Sequence, residues 1–211
     1  MAVEIKWLNH ASFRLAAKSI VYIDPWKIAG RPADGNVVFV SHSHHDHCSA
    51  DDVRKVCAAD ATILAPPDAA GQVGGKPLAP GQAIEVAGVK IAAVAAYNIG
   101  KAFHPKANHW LGAVIELGGV RVYYAGDTDR IPEMAELADI DVALLPVGGT
   151  YTMDAAEAAL AAADIGAKAA VPYHFGDIVG SVADAKKFAE GAGCTVHVLA
   201  PAGAVSIERG G

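Results

Sequence analysis

Val3, Ile5 and Trp7 alternate with Glu4 and Lys6, the two-residue period of a strand with one buried face. Residues 12–15 and 20–23 predict two further strands, turned about Ala17-Lys18-Ser19, with Asp24-Pro25-Trp26 ending the second. The run Val37-Val38-Phe39-Val40 has no polar partner, so a strand buried on both faces is expected there. Ser49 then reads as an N-cap, Asp51 and Asp52 as a first turn, and Val53, Val56 and Cys57 as one face of a helix running to Ala59. A short strand over residues 61–65 is punctuated by Pro66-Pro67, and residues 69–75 suit a helical turn. Hairpins are expected at 81–86 with 89–94, and at 111–117 with 120–124, around Ala87-Gly88 and Gly118-Gly119. Between them, residues 97–108 form a polar loop.

The second half changes rhythm. A helix over 131–138 starts at Pro132, a strand follows at 142–145, and Thr152 caps an Ala-rich helix over 153–163. Residues 169–172 make a strand, Ser181 caps a helix to Glu190, and strands at 195–199 and 204–207 close the chain. Hairpins followed by strand–helix units, twice over, predict an α/β fold of two sheets face to face with helices outside, a four-layer αββα sandwich.

Composition narrows the class. The 211 residues are 53% hydrophobic and 19% charged, enough for one domain, 1–211, with a substantial core. A net charge of −6 and the lack of any Lys/Arg run argue against a nucleic-acid partner. Cys48, Cys57 and Cys194 are too few and too scattered for a disulfide framework, which points to a reducing compartment. The N-terminal stretch has no long apolar run, and no segment is long enough to span a bilayer, so a cytoplasmic protein without membrane contact is expected.

The candidate chemistry begins where residues 37–40 end. Four of the nine histidines fall between positions 42 and 47, in His42-Ser43-His44-His45-Asp46-His47. In an extended segment, residues two apart share a face, so His42, His44 and Asp46 would point one way and His45 the other. Imidazole and carboxylate suit Zn, Mn, Fe or Ni. Three other strand ends present similar groups: Asp127 after Tyr124-Ala125-Gly126, His174 after Val171-Pro172-Tyr173, and Asn98, His104 and His109 in the polar loop. Such positions just past buried strands are where α/β folds place ligands. Gly126 would let the backbone approach a ligand closely. His10, in the first turn, reads in isolation as a hydrogen-bonded structural residue.

With these motifs the chain resembles the metallo-β-lactamase-fold hydrolases. His42-x-His44-x-Asp46-His47, a histidine-bearing loop, Gly126-Asp127-Thr128 and His174 carry the likeness. Asn9-His10-Ala11-Ser12-Phe13 and Ile23-Asp24-Pro25-Trp26 narrow it to the branch with ascorbate-6-phosphate lactonase and N-acyl-phosphatidylethanolamine phospholipase D. The resemblance implies two divalent metal ions, with zinc the first choice and Mn, Fe or Ni compatible. His42, His44 and a loop histidine would hold one ion; Asp46, His47 and His174 would hold the other; Asp127 would bridge them. Asp46, Asp127 and His10, now lining the cleft, become the candidate catalytic residues. Asp24 would orient a ligating histidine through its second ring nitrogen. Two such metals ~3.5–4 Å apart can share a hydroxide of lowered pKa. The implied activity is hydrolysis of a small phosphoester, lactone or similar ester, with a small-molecule substrate as partner. Tyr151 and Tyr173 are candidate oxyanion donors, or else buried aromatics.

Two positions depart from the resemblance. Asn9 stands where relatives carry glycine. The strand-end context that carries the loop histidine in relatives reads Ala96-Tyr97-Asn98 here. His104, flanked by an anchoring Phe103 and a stiffening Pro105, is the favoured loop ligand, with His109 and Asn98 as alternatives. Two other functional classes remain open: a non-catalytic metal-binding protein, and an iron-dependent redox protein of the same fold. Relatives of the second kind usually need a fused flavin domain, for which this length leaves no room.

Overall fold

The computed structural model describes residues 2–209. Met1, which opens the N-terminal stretch discussed above, lies outside them. The chain begins with β1 (Val3–Asn9), β2 (Ser12–Ala16), β3 (Ile20–Ile23) and β4 (Gly35–Phe39), then α1 (Ala50–Val56), β5 (Cys57–Ala65), α2 (Pro67–Val73) and the two-residue β6 (Lys76–Pro77). It crosses to a second sheet with β7 (Ala83–Val86), β8 (Val89–Ala95), β9 (Leu111–Leu117), β10 (Val120–Tyr124) and β11 (Val142–Pro146). There follow α3 (Ala155–Ile165), β12 (Ala169–Tyr173), α4 (Val182–Gly191) and β13 (Thr195–Val196). β14 (Ala204–Ile207) returns to pair with β1. The sheet orders are β14-β1-β2-β3-β4-β5-β6 and β13-β12-β11-β10-β9-β8-β7. With helices outside both sheets, this is the αββα sandwich.

Periodicity explains the layers. Val3, Ile5 and Trp7 face the core between the sheets, as their alternation requires. In β4, Val37 and Phe39 enter that same core, while Val38 joins Tyr22, Val53 and Val56 under α1. The apolar run is therefore buried on both faces, by a sheet on one side and a helix on the other. β3, β4 and β5 are parallel neighbours, as are β10, β11 and β12. Their C-terminal ends meet at one edge of the sandwich, where the site is built.

Several elements differ from the sequence expectation. α1 stops at Val56 because Cys57 turns extended and pairs opposite Gly35, so residues 57–60 lengthen β5. Asp154, not Thr152, caps α3: its side chain accepts the Glu157 N–H, and Gly166 ends the helix in the left-handed region. Residues 132–136 form only a 3₁₀ turn with Met134 buried, too little apolar surface to hold a longer helix. The strand expected at 195–199 is cut to Thr195–Val196. Among the described residues, no helix is long and apolar enough to cross a membrane.

Candidate metal centre

β4 pairs with both neighbours to its end, and Val40 N–H still donates to Leu64 O. The backbone then turns: His47 N–H and Cys48 N–H both donate to His44 O, at 3.0 and 2.8 Å. The alternation read for residues 42–46 therefore holds only as far as His44. His42 Nε2 and His44 Nδ1 lie 3.1 Å apart, whereas Asp46 swings across to His10, whose Nε2 is 3.0 Å from Asp46 Oδ2. His45 is exposed.

Asp24 braces this turn from the end of β3. Its buried carboxylate accepts Ser41 N–H (2.7 Å), Ser41 Oγ–H (2.5 Å), Tyr124 O–H (2.6 Å) and the His47 Nδ1–H (2.7 Å). Because Nδ1 of His47 is held by Asp24, Nε2 is the ring nitrogen that faces the centre.

The loop between β8 and β9 uses a similar device with different parts. Asn98 Oδ1 accepts the His104 backbone N–H at 3.0 Å, which identifies that atom as oxygen. The same oxygen lies 2.9 Å from His104 Nδ1, so Nδ1 carries the proton and Nε2 is the lone-pair nitrogen. Asn98 Nδ2 donates to Asp129 Oδ1 and Tyr151 O, and Lys101 Nζ donates to Asp129 Oδ1 and Thr152 O. His104 is buried against the centre. His109 is exposed, in a left-handed turn that closes the 3₁₀ segment, and lies elsewhere. Asn98 reaches the centre only through His104.

Asp127 occupies the middle. Its Oδ2 lies 3.2 Å from His174 Nε2, 3.3 Å from His104 Nε2, 3.4 Å from His47 Nε2 and 4.0 Å from His42 Nε2. Gly126 serves packing: with φ +69, its Cα faces Leu111 O, which an added Cβ would meet at 2.6 Å. The close approach expected there is to strand backbone. His10, Asp24 and His174 all have positive φ, a strained conformation for non-glycine residues that clusters at functional sites. The His174 N–H donates to His10 O and ties two of them together.

The charges are arranged for cations. Burial would raise the Asp127 carboxyl, but the surrounding imidazoles of His174, His47 and His104 outweigh it and hold it far below the usual range. Burial holds the His42 imidazole neutral, well below its ordinary pKa, and lowers His10 likewise. Against burial, Asp127 and Asp24 raise His47 well above it. Buried polar atoms nevertheless lack partners: His47 Nε2, His104 Nε2 and Asp127 Oδ1 have none. Unpaired buried polar atoms are costly unless a ligand satisfies them. His42, His44 and His104 bring ligand atoms within 4.8 Å of one another, and so do His10, Asp46, His47 and His174. This nitrogen and oxygen donor set fits borderline divalent metals.

Tyr173 does not face the site. It is fully buried, stacks on Tyr124 and donates to Gly126 O at 2.5 Å. Tyr151 lines the cavity over Asp127. Two contributors had no sequence signal: Trp110, whose ring lies 4.8 Å from those of both His42 and His44, and Asp129 behind Asn98.

Residues 4–174 match the model of the beta-lactamase superfamily domain. A UPF0173 metal-dependent hydrolase of Methanoculleus marisnigri is 36% identical over 191 residues, covering 82% of this chain and 81% of its own. One from Methanoregula boonei is 35% identical, with 88% of each chain covered. Igni18, a metallo hydrolase of Ignicoccus hospitalis, superposes with a TM-score of 0.81 at 25% identity over 99% of both chains. The fold, the histidine and aspartate centre and these relatives agree: the chain belongs to the β-lactamase superfamily and, within it, to the UPF0173 metal-dependent hydrolases.

Proposed function

We infer that the protein is a binuclear hydrolase of a small ester, lactone or phosphoester. His42, His44 and His104 would hold one divalent ion, Asp46, His47 and His174 the other, and Asp127 would reach both. Zinc is the first choice. The observation that carries this reading is the single oxygen Asp127 Oδ2 among four imidazole Nε2 atoms, with its twin Oδ1 buried and unpartnered.

When bound, such a pair of ions supplies Lewis acidity and a water of lowered pKa. The chain's own groups do the rest. Asp127 is ionised at neutral pH and offers an oxygen to either side. Asp46 is likewise held ionised, through its hydrogen bond to His10 and the nearby His47, so His10 positions that carboxylate. Asp24 and Asn98 hold the tautomers of His47 and His104. Tyr151 lines the cavity and is available to donate to a developing oxyanion. The turn at residues 9–13 and the Asp24-Pro25-Trp26 motif support the narrower kinship with ascorbate-6-phosphate lactonase and N-acyl-phosphatidylethanolamine phospholipase D. That kinship adds lactones and phosphodiesters to the substrates to try.

The test is elemental analysis of purified protein, with hydrolysis of activated esters and diesters before and after chelation. Two metals per chain and chelator-sensitive turnover are expected. Asp127→Asn should lose about 10³-fold in kcat/KM, or ~4 kcal/mol of transition-state stabilisation. Metal binding without turnover of any substrate would favour the non-catalytic alternative.

A further inference from the structure

The cavity over Asp127 has a volume of about 260 Å³. Its floor carries two carboxylates, Asp46 and Asp127, and among the described residues no lysine or arginine lines it. The cations nearest in sequence to its walls, Lys101, Lys106 and Arg130, are engaged, the last two with Glu133 and Asp164. Lys101 Nζ donates to Asp129 Oδ1 at 2.5 Å and Thr152 O at 2.7 Å, and Lys27 Nζ reaches the rim loop through Asp177 Oδ2 at 2.7 Å. Asp177 precedes Ile178, and Lys101 stands two residues before Phe103. These pairs pin the loops of the rim, so the chain itself adds no side-chain cation beside the metal ions for a second charged group.

The rim itself is apolar. Phe103 is 44% exposed and Ile178 is 42% exposed, and both line this cavity together with Tyr151. Phe103 packs edge-on against the Tyr151 ring, with centroids 4.7 Å apart. Its position is further set by the next residue, His104, which Asn98 holds by backbone and side chain. On the other side, Gly176 N–H donates to Val179 O and Gly180 O and closes the loop that presents Ile178. Large apolar side chains left half open on braced loops, around a polar floor, are the arrangement of a site that accepts an apolar group beside a reacting one.

We propose that Phe103, Tyr151 and Ile178 form a subsite for an apolar acyl chain, so that the substrate is an ester or lactone carrying a short aliphatic group. This rests on the hydrolase reading above. Each methylene buried on the subsite strengthens binding about fourfold.

The experiment uses the metal-loaded protein with p-nitrophenyl acetate, butyrate and hexanoate, and calorimetric titration with acetate and hexanoate. Hexanoate should bind at least tenfold tighter than acetate, and kcat/KM should rise at least tenfold from acetate to hexanoate. Phe103→Ala and Ile178→Ala should each cut the hexanoate-to-acetate ratio several-fold in both measurements. Equal affinity for the two carboxylates, or an unchanged ratio in both variants, would overturn the subsite. Selective hexanoate binding without turnover of any ester would support the subsite and count against the hydrolase reading. Chelator-sensitive turnover without chain-length preference would do the reverse.

Discussion

The turn at residues 41–48 hangs from the end of a strand buried on both faces, and its brace, Asp24, comes from the neighbouring parallel strand. The loop between β8 and β9 hangs from the end of its strand too, but braces itself: Asn98 holds His104 six residues later, and Asp129 and Lys101 hold Asn98 in place. The turn's imidazoles are positioned by the core; the loop's imidazole is positioned by amide hydrogen bonds. The two devices do the same work on a ring, fixing Nδ1–H and leaving Nε2 to face Asp127. They differ in what else depends on them. Asp24 is bonded to two strands and the turn at once, so it serves both fold and site. Asn98 serves its own loop.

This contrast has measurable consequences. Asp24→Ala strands four buried donors in the core and should cost about 3–5 kcal/mol of stability, read by denaturant unfolding of the metal-free protein. A loss below ~1 kcal/mol would mean that the turn does not rely on this brace.

Asn98→Ala should leave the fold almost as stable, losing about 1 kcal/mol. It should weaken metal affinity at the site of His42, His44 and His104 by roughly 10–100-fold, measured by competition with a chromogenic chelator. The site of Asp46, His47 and His174 should keep its affinity, and so should both sites in His109→Ala. Equal weakening of both sites by Asn98→Ala would show that the loop is not an independent device.

The smallest effect concerns acid. Asp52 accepts the Lys27 and Ile28 N–H groups, Ser49 Oγ–H and Lys55 Nζ–H, tying the segment beyond Asp24 to α1. Burial alone would raise its carboxyl, but Lys55 and Ser49 outweigh this and lower it. A carboxyl lowered on folding adds stability that is complete above its unfolded value near ~4 and is lost as pH falls through the folded value. Between pH 6 and 3, the metal-free wild type should lose more stability than Asp52→Asn, by under about 1 kcal/mol. Parallel curves would remove Asp52 from the brace.

Much of this was legible in the chain because it rests on local rules. Alternation in residues 3–7 and its absence in residues 37–40 placed both strands and both faces, since side-chain direction follows from backbone period alone. The histidine burst at the end of that run marked the centre, because strand ends converge in an α/β sandwich. Cap positions were less secure: Thr152 and Asp154 are both good N-caps, and only the packing of α3 decides between them. Parity failed beyond His44, because a turn made by hydrogen bonds to His44 O has no fixed period. The loop ligand was open for the same reason. Composition offered His104, His109 and Asn98 as candidates. Only the fold, by bringing Asp129 and the Tyr151 carbonyl up to Asn98, turned Asn98 into the support, His104 toward Asp127 and His109 out to solvent. Strands and their burial are determined by neighbours in sequence; which ring nitrogen faces a shared carboxylate depends on groups as far apart as residues 24, 98 and 127, and is decided only when the two sheets close.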